Sequence, residues 1–231
     1  MSSSTETRKK PTSSGSDRQT ASPHYVPGTP AAANPALLGY LSMIVGSVAL
    51  VLYLTDFRSA GNSLAAAIPV MIFSASLFSL IACVWSLIRS EGPEGVMFGL
   101  FGTFWLSFSI LTVGLDNEWY GQLSNMDQRN AHASFVMTWL LVMVMFTLTT
   151  LRMPKAVTLL LVAIDAVFLA MLASILAAAA NPEAGDPIYL TIGNIGMTGF
   201  IILGVYLFAS AMNAATGGKP FPMGKPFLRR R

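Results

Sequence analysis

Residues 156–179 read AVTLLLVAIDAVFLAMLASILAAA, twenty-four positions with a single charged side chain, Asp165. A bilayer core of about 30 Å needs about 20 apolar residues in helical form, so this run is long enough to cross one. Lys155 and Arg152 precede it and Asn181-Pro182 follows, which sets its ends. Working outward, five more runs have the same character, giving spans at approximately Pro35–Leu54, Ser63–Leu87, Gly95–Leu115, Ser134–Leu151, Ala156–Ala179 and Pro187–Met212. Inside lipid every backbone N–H and C=O must be satisfied within its own segment, so such runs are helices. The expected fold class is all-α: a polytopic membrane protein with a six-transmembrane-helix bundle.

Composition agrees. Of 231 residues, 53% are hydrophobic and 11% charged, against about 25% charged in an ordinary soluble domain. The net charge of +3 comes from basic residues at the ends and in short loops, a pattern of membrane orientation rather than nucleic-acid binding. With the N-terminus inside, twelve Lys and Arg fall on the inner segments, from Arg8 to Lys10 through Arg89, Arg152 and Lys155 to Arg231. Only Arg58 and Arg129 fall outside. Both termini are therefore expected in the cytoplasm of a plasma-membrane protein. Residues 1–33, rich in Ser, Thr and Pro with no apolar core, read as a disordered cytoplasmic tail and not a signal peptide. Residues 34–213 are expected to form the six-helix transmembrane domain, and 214–231 a basic cytoplasmic tail that anchors topology or meets anionic lipid.

Enzyme signatures are missing. His24 and His132 lie outside the spans, and no Cys/His cluster, phosphate loop or nucleotide fingerprint occurs. No catalytic residue, metal ligand or cofactor is expected. Cys83, alone, forms no intrachain disulfide.

Four features carry candidate chemistry. Asp165 is the one clearly central charge in a span, where insertion costs about 2.5–3.5 kcal/mol. It is either a proton-coupling group facing a wet path, or a carboxyl linked to the sixth span through Asn194 or Thr198. Asn34 before Pro35 is a good helix cap, and a helix N-terminus also suits a carboxylate. Phe98, Phe101, Phe104 and Trp105 recur at helical spacing in the third span, as packing or as a dry constriction. Gly95 and Gly99 stand four apart, a spacing that lets helices approach closely within or between subunits.

Asn34-Pro35-Ala36-Leu37-Leu38-Gly39-Tyr40 resembles the NPxPLGL signature of the acetate uptake transporter family, the bacterial succinate–acetate permeases and yeast acetate permeases. Phe98-Gly-Leu-Phe101-Gly102-Thr-Phe104-Trp105 is similar to the family's F-x-x-Y-G-x-F-W. Weaker likenesses are Trp139, Tyr206 and Pro222-Met-Gly224, the last similar to a terminal Pro-x-Gly. The resemblance implies a six-helix protomer assembled as a homo-oligomer, a hexamer, moving acetate or succinate, in some members with protons. It implies an entrance at Asn34, Leu38 and Tyr40. It also implies an apolar constriction at Met43, Phe101 and Ile164, flanked by Phe98 and Phe104. This chain departs from the pattern: Leu37 replaces the proline, Tyr40 a leucine, Met43 a phenylalanine, and Phe101 lacks the tyrosine hydroxyl. The expected activity is transport of acetate or a similar short carboxylate, coupled to protons or as the acid form through the apolar constriction, by a protein surrounded by membrane lipid. A neutral-solute channel for urea, a short amide or ammonia is the alternative within transport. A non-transporting adaptor is the alternative outside it.

Overall fold

The Asn34 side chain accepts the Ala36 N–H at 2.9 Å and Pro35 sits in the first turn, so the first helix starts where its sequence can satisfy the free end. The computed structural model describes residues 33–55, 63–180 and 187–228; the expected tail and the flanking charges Asp56, Arg58 and Asp186 lie outside them. Among the described residues, six helices are long and apolar enough to cross a membrane. We label them α1 (Pro35–Leu54), α2 (63–88), α3 (Gly92–Asp116), α4 (Asn125–Thr149), α5 (Lys155–Ala180) and α6 (Pro187–Ala215). The third and fourth expected spans are longer at their starts than hydropathy alone suggested, because polar residues such as Glu94 and Asp127 extend the helices beyond their apolar stretches.

α2 is not uniform. Pro69 ends its first seven residues, Val70–Leu77 winds as a π-helix, and Phe78–Ile88 resumes the α form. Proline has no N–H to give and its ring crowds the preceding turn, which a wider winding accommodates.

α1 packs against α2 and α6, α6 against α5, α5 against α4, and α2 against α3. Aromatic side chains close the circuit: Phe104 of α3 meets Phe135 and Trp139 of α4 and Phe168 of α5. The α1–α3 contact depends on glycine. A Cβ on Gly46 would fall 2.6 Å from the Trp105 ring, and one on Gly39 would overlap Phe98. Two holes seven residues apart on α1 thus receive two aromatics seven residues apart on α3. Gly95 and Gly99 do the same for α2: a Cβ would meet Leu87 at 2.8 Å and the Cys83 sulfur at 3.0 Å. Their close-approach role is within the subunit. Ser42 of α1 and Ser79 of α2, both buried, bring their hydroxyls to 2.7 Å.

After α6 the chain turns back. Asn213 donates to the Lys219 carbonyl, the Phe221 N–H donates to the Ser210 hydroxyl, and Tyr206 donates to the Pro222 carbonyl. Further on, the Met223 carbonyl accepts the Ala156 N–H, and the Leu228 N–H reaches the Leu151 carbonyl. The expected basic tail is thus a strap across the end of the bundle, with Lys219 and Lys225 exposed. Gly224 sits at φ +74, where a Cβ would also press on Lys155 at 3.0 Å. That is the physical reason for glycine in the Pro222-Met-Gly224 motif.

Candidate functional site

Among the described residues, two cavities within the bundle differ sharply in character. At the end of the bundle where α1 begins and α6 finishes lies a vestibule of about 440 Å³. α1 contributes Asn34 and Tyr40, the α2–α3 turn Arg89 and Glu91, α3 Glu94, α6 Ser210, and the strap Pro220 and Met223. Nearer the other end is a void of about 10 Å³ with no polar lining, among Leu50, Phe104, Phe108, Phe135, Ile164 and Phe168. A water molecule needs about 10–15 Å³ and polar partners, so the second void is dry.

The vestibule is built from turn and cap chemistry. The Asn34 carbonyl oxygen is committed to the cap of α1, which leaves its amide N–H groups for the cavity. Arg89 donates from Nε to Glu91 Oε1 at 3.0 Å, leaving the rest of the guanidinium fork. Glu91 Oε2 is buried without a partner among the described residues. The Tyr40 ring is buried edge-on against Phe98 at 5.4 Å, and its hydroxyl makes no hydrogen bond to any described residue. The cavity therefore offers donors from Asn34, Tyr40 and Arg89, two of them neutral, together with two carboxylates.

Beyond it the bundle is an apolar core. Met43, Phe101 and Ile164 are each no more than 2% exposed and belong to one buried cluster. Phe101 rests on Phe200 of α6 at 5.4 Å. Phe104 is the centre of the dry half, with Trp105, Phe108, Phe135, Trp139 and Phe168 all within 4.9–6.1 Å between ring centroids.

The geometry sorts the sequence candidates. Asn34 and Tyr40 come together at the vestibule, whereas Leu38 packs against the core and does not line it. Phe98 supports Tyr40, Trp105 fills the Gly46 hole, Phe101 packs on Phe200, and Phe104 alone of the stripe lines a cavity, the dry void. Asp165 needs correction. It lines neither cavity and faces Thr147 of α4. Its Oδ1 and the Thr147 hydroxyl are both buried without a well-formed hydrogen bond. Its expected partners on the sixth span lie elsewhere: Thr198 donates to the Asn194 carbonyl on the exposed side of α6. Hydropathy places Asp165 at mid-span but does not say which neighbour it turns toward. Sequence reading also passed over Arg89, Glu91 and Glu94 as a loop boundary, and Ser210 altogether. The signal was there in Arg89 to Glu94, charges immediately ahead of a span that carries a motif.

The model of the GPR1/FUN34/yaaH family matches residues 18–218. The chain belongs to the GPR1/FUN34/yaaH family. This is the acetate uptake transporter family, whose members are transporters and channels rather than enzymes. A solved structure described as that of the bacterial acetate channel SatP matches with a TM-score of 0.64 and 19% identity, over 83% of this chain and 99% of that one. At that identity the likeness establishes the fold, the GPR1/FUN34/yaaH six-helix bundle. No curated protein sequence matches the chain.

Proposed function

We propose that this GPR1/FUN34/yaaH protein conducts acetate or a similar short carboxylate across a membrane, through its own bundle. The supporting observation is the vestibule, with Asn34, Tyr40 and Arg89 presenting donors at one end of a core that contains Met43, Phe101 and Ile164. A planar carboxylate accepts from such donors, most strongly from a guanidinium. Family membership and the fold shared with an acetate channel support the same reading.

The apolar half then decides the form that crosses. A bare anion in a dry ring is expensive, whereas acetic acid carries its own proton and loses far less on dehydration. Flux is therefore carried by the acid form, or by the anion together with a proton, and it rises with an inward proton gradient. Glu91 and Glu94 beside the donors fit this, since ionised carboxylates repel the anion and tolerate the acid. The vestibule end is the cytoplasmic end, on the excess of Lys and Arg there. Succinate, with a second carboxyl to neutralise, moves more slowly than acetate. The protein works as a homo-oligomer of the family's hexameric kind, each protomer with its own path.

Radiolabelled acetate uptake into proteoliposomes, with and without an inward proton gradient, tests the proposal. Saturable uptake raised by the gradient supports it. Flux no greater than in empty liposomes, from protein shown to be folded, overturns it. The all-apolar contact of Phe101 with Phe200 favours a neutral solute as the second reading. In that case urea flux would persist unchanged under excess acetate.

A further inference from the structure

The strap ends beside the short turn between α4 and α5, and the meeting gathers positive charge. The Leu228 N–H donates to the Leu151 carbonyl at 2.9 Å, next to Arg152, and the Met223 carbonyl accepts the Ala156 N–H at 3.0 Å, next to Lys155. Between these two bonds, Gly224 lies so close to the Lys155 side chain that a Cβ would meet it at 3.0 Å, and the Lys155 ammonium stands 5.1 Å over the Phe227 ring. Lys225 follows Gly224 on the strap. Arg152, Lys155 and Lys225 therefore share one patch, and all three are exposed. Among the described residues the ion pair is Arg89 with Glu91, so none of these three cations has an acidic partner there. Lys155 is also the first residue of α5, whose N-terminal end adds partial positive charge. The fold thus assembles like charges and leaves them to be neutralised from outside.

The surroundings say where the neutralising charge comes from. The turn is short, a 3-10 stretch over Thr150–Arg152 followed by Met153-Pro154, so two spanning helices end within a few residues of it and the patch lies at the level of a membrane surface. Phe227 and Leu228 are half exposed beside the cations, and Leu159, one turn into α5 from Lys155, is exposed as well. A soluble anion gains nothing from these apolar side chains. A phospholipid uses both, with its phosphate on the cations and its chains along the apolar surface. We propose that Arg152, Lys155 and Lys225 form a binding site for the headgroup phosphate of an anionic phospholipid, whose acyl chains lie against Phe227, Leu228 and Leu159. The basic tail does not make this site alone: two of its three cations come from the turn and from α5, and the strap completes it. The site is independent of what the bundle conducts.

Binding of pyrene-labelled phosphatidylglycerol to the full chain in a neutral detergent tests it, with pyrene-labelled phosphatidylcholine as the comparison. Wild-type protein should prefer phosphatidylglycerol. Arg152→Gln, Lys155→Gln and Lys225→Gln should each weaken that binding by about fivefold, and the triple variant by about a hundredfold, with the phosphatidylcholine affinity unchanged. Lys219→Gln, at the α6 end of the strap where its carbonyl accepts from Asn213, should change it by about twofold or less. Equal affinity for the two lipids, or a triple variant that binds like wild type, overturns the proposal. So does a loss at Lys219→Gln as large as at Lys225→Gln, because the attraction is then spread over the surface and not gathered at a site. Should the triple variant fail to fold, the three single variants decide in the same way. Glycerophosphoglycerol, the same headgroup without acyl chains, should fail to displace the lipid at millimolar concentration. Displacement by it, or by inorganic phosphate, overturns the lipid assignment in favour of a soluble phosphate.

Discussion

The two halves of the bundle are made from the same kind of helix yet do opposite things. At the vestibule end, chain turns and helix starts bring Asn34, Tyr40, Arg89, Glu91 and Glu94 around about 440 Å³ of space. Toward the other end, four phenylalanine rings from α3, α4 and α5 line a void of about 10 Å³ with no polar lining. The difference arises from what each end has to satisfy. Where α1 and α3 begin, free N–H groups and charges call for polar company, and a cavity can stay wet. Around the void the side chains of α3 are Phe104 and Phe108, so close-packed rings are the stable solution there. The described state is open at one end and closed toward the other, and the proposed transport requires the closed half to part.

The largest expected effect comes from breaking the shut half. Phe104→Ala removes the ring shared by five aromatic contacts and should cost about 3–5 kcal/mol of stability, read as a lower unfolding temperature in detergent. It should also raise acetate leak, because the cavity left behind lies on the path. A variant as stable as wild type would show that Phe104 is not the centre of the seal. Next, Gly46→Leu drives a side chain into Trp105 and should cost about 1–3 kcal/mol, measured in the same way, with no change at the vestibule.

How far the sequence foretold these halves differs too. The six helices were readable because lipid leaves so few alternatives, and α1 could be placed to the residue from Asn34-Pro35. The π segment after Pro69 was not, since a proline says where a helix is disturbed and not how the disturbance is absorbed. At the site, Asn34 and Tyr40 were found through a motif, while Arg89, Glu91 and Glu94 looked like a loop. The strap was hidden for another reason. Its structure is made of bonds between distant residues, such as Ala156 with Met223, which no local pattern encodes. Asp165 shows the limit most clearly: its depth was readable, its neighbour Thr147 was not.

Smaller effects sharpen the wet half. Tyr40→Phe keeps the ring against Phe98 and removes only the free hydroxyl, so stability should hold. The half-saturation concentration for acetate should rise about two- to tenfold, the worth of one hydrogen bond. An unchanged value would place the solute away from Tyr40. The smallest effect is expected for Asp165→Asn. The side chain lines neither cavity, so the pH dependence of uptake should be that of wild type. A flattened pH profile at equal expression would bring Asp165 into the path and redraw the comparison between the halves.

The most direct test measures both halves at once by the reactivity of single cysteines toward a membrane-impermeant thiol reagent, in a Cys83→Ser background. Ala214→Cys lies on the vestibule lining and Val136→Cys on the dry void. The account predicts that Ala214→Cys reacts from one face of the membrane only and is protected by millimolar acetate, while Val136→Cys is inert from both. Reaction at Val136→Cys as fast as at Ala214→Cys, or an Ala214→Cys rate indifferent to acetate, would contradict it.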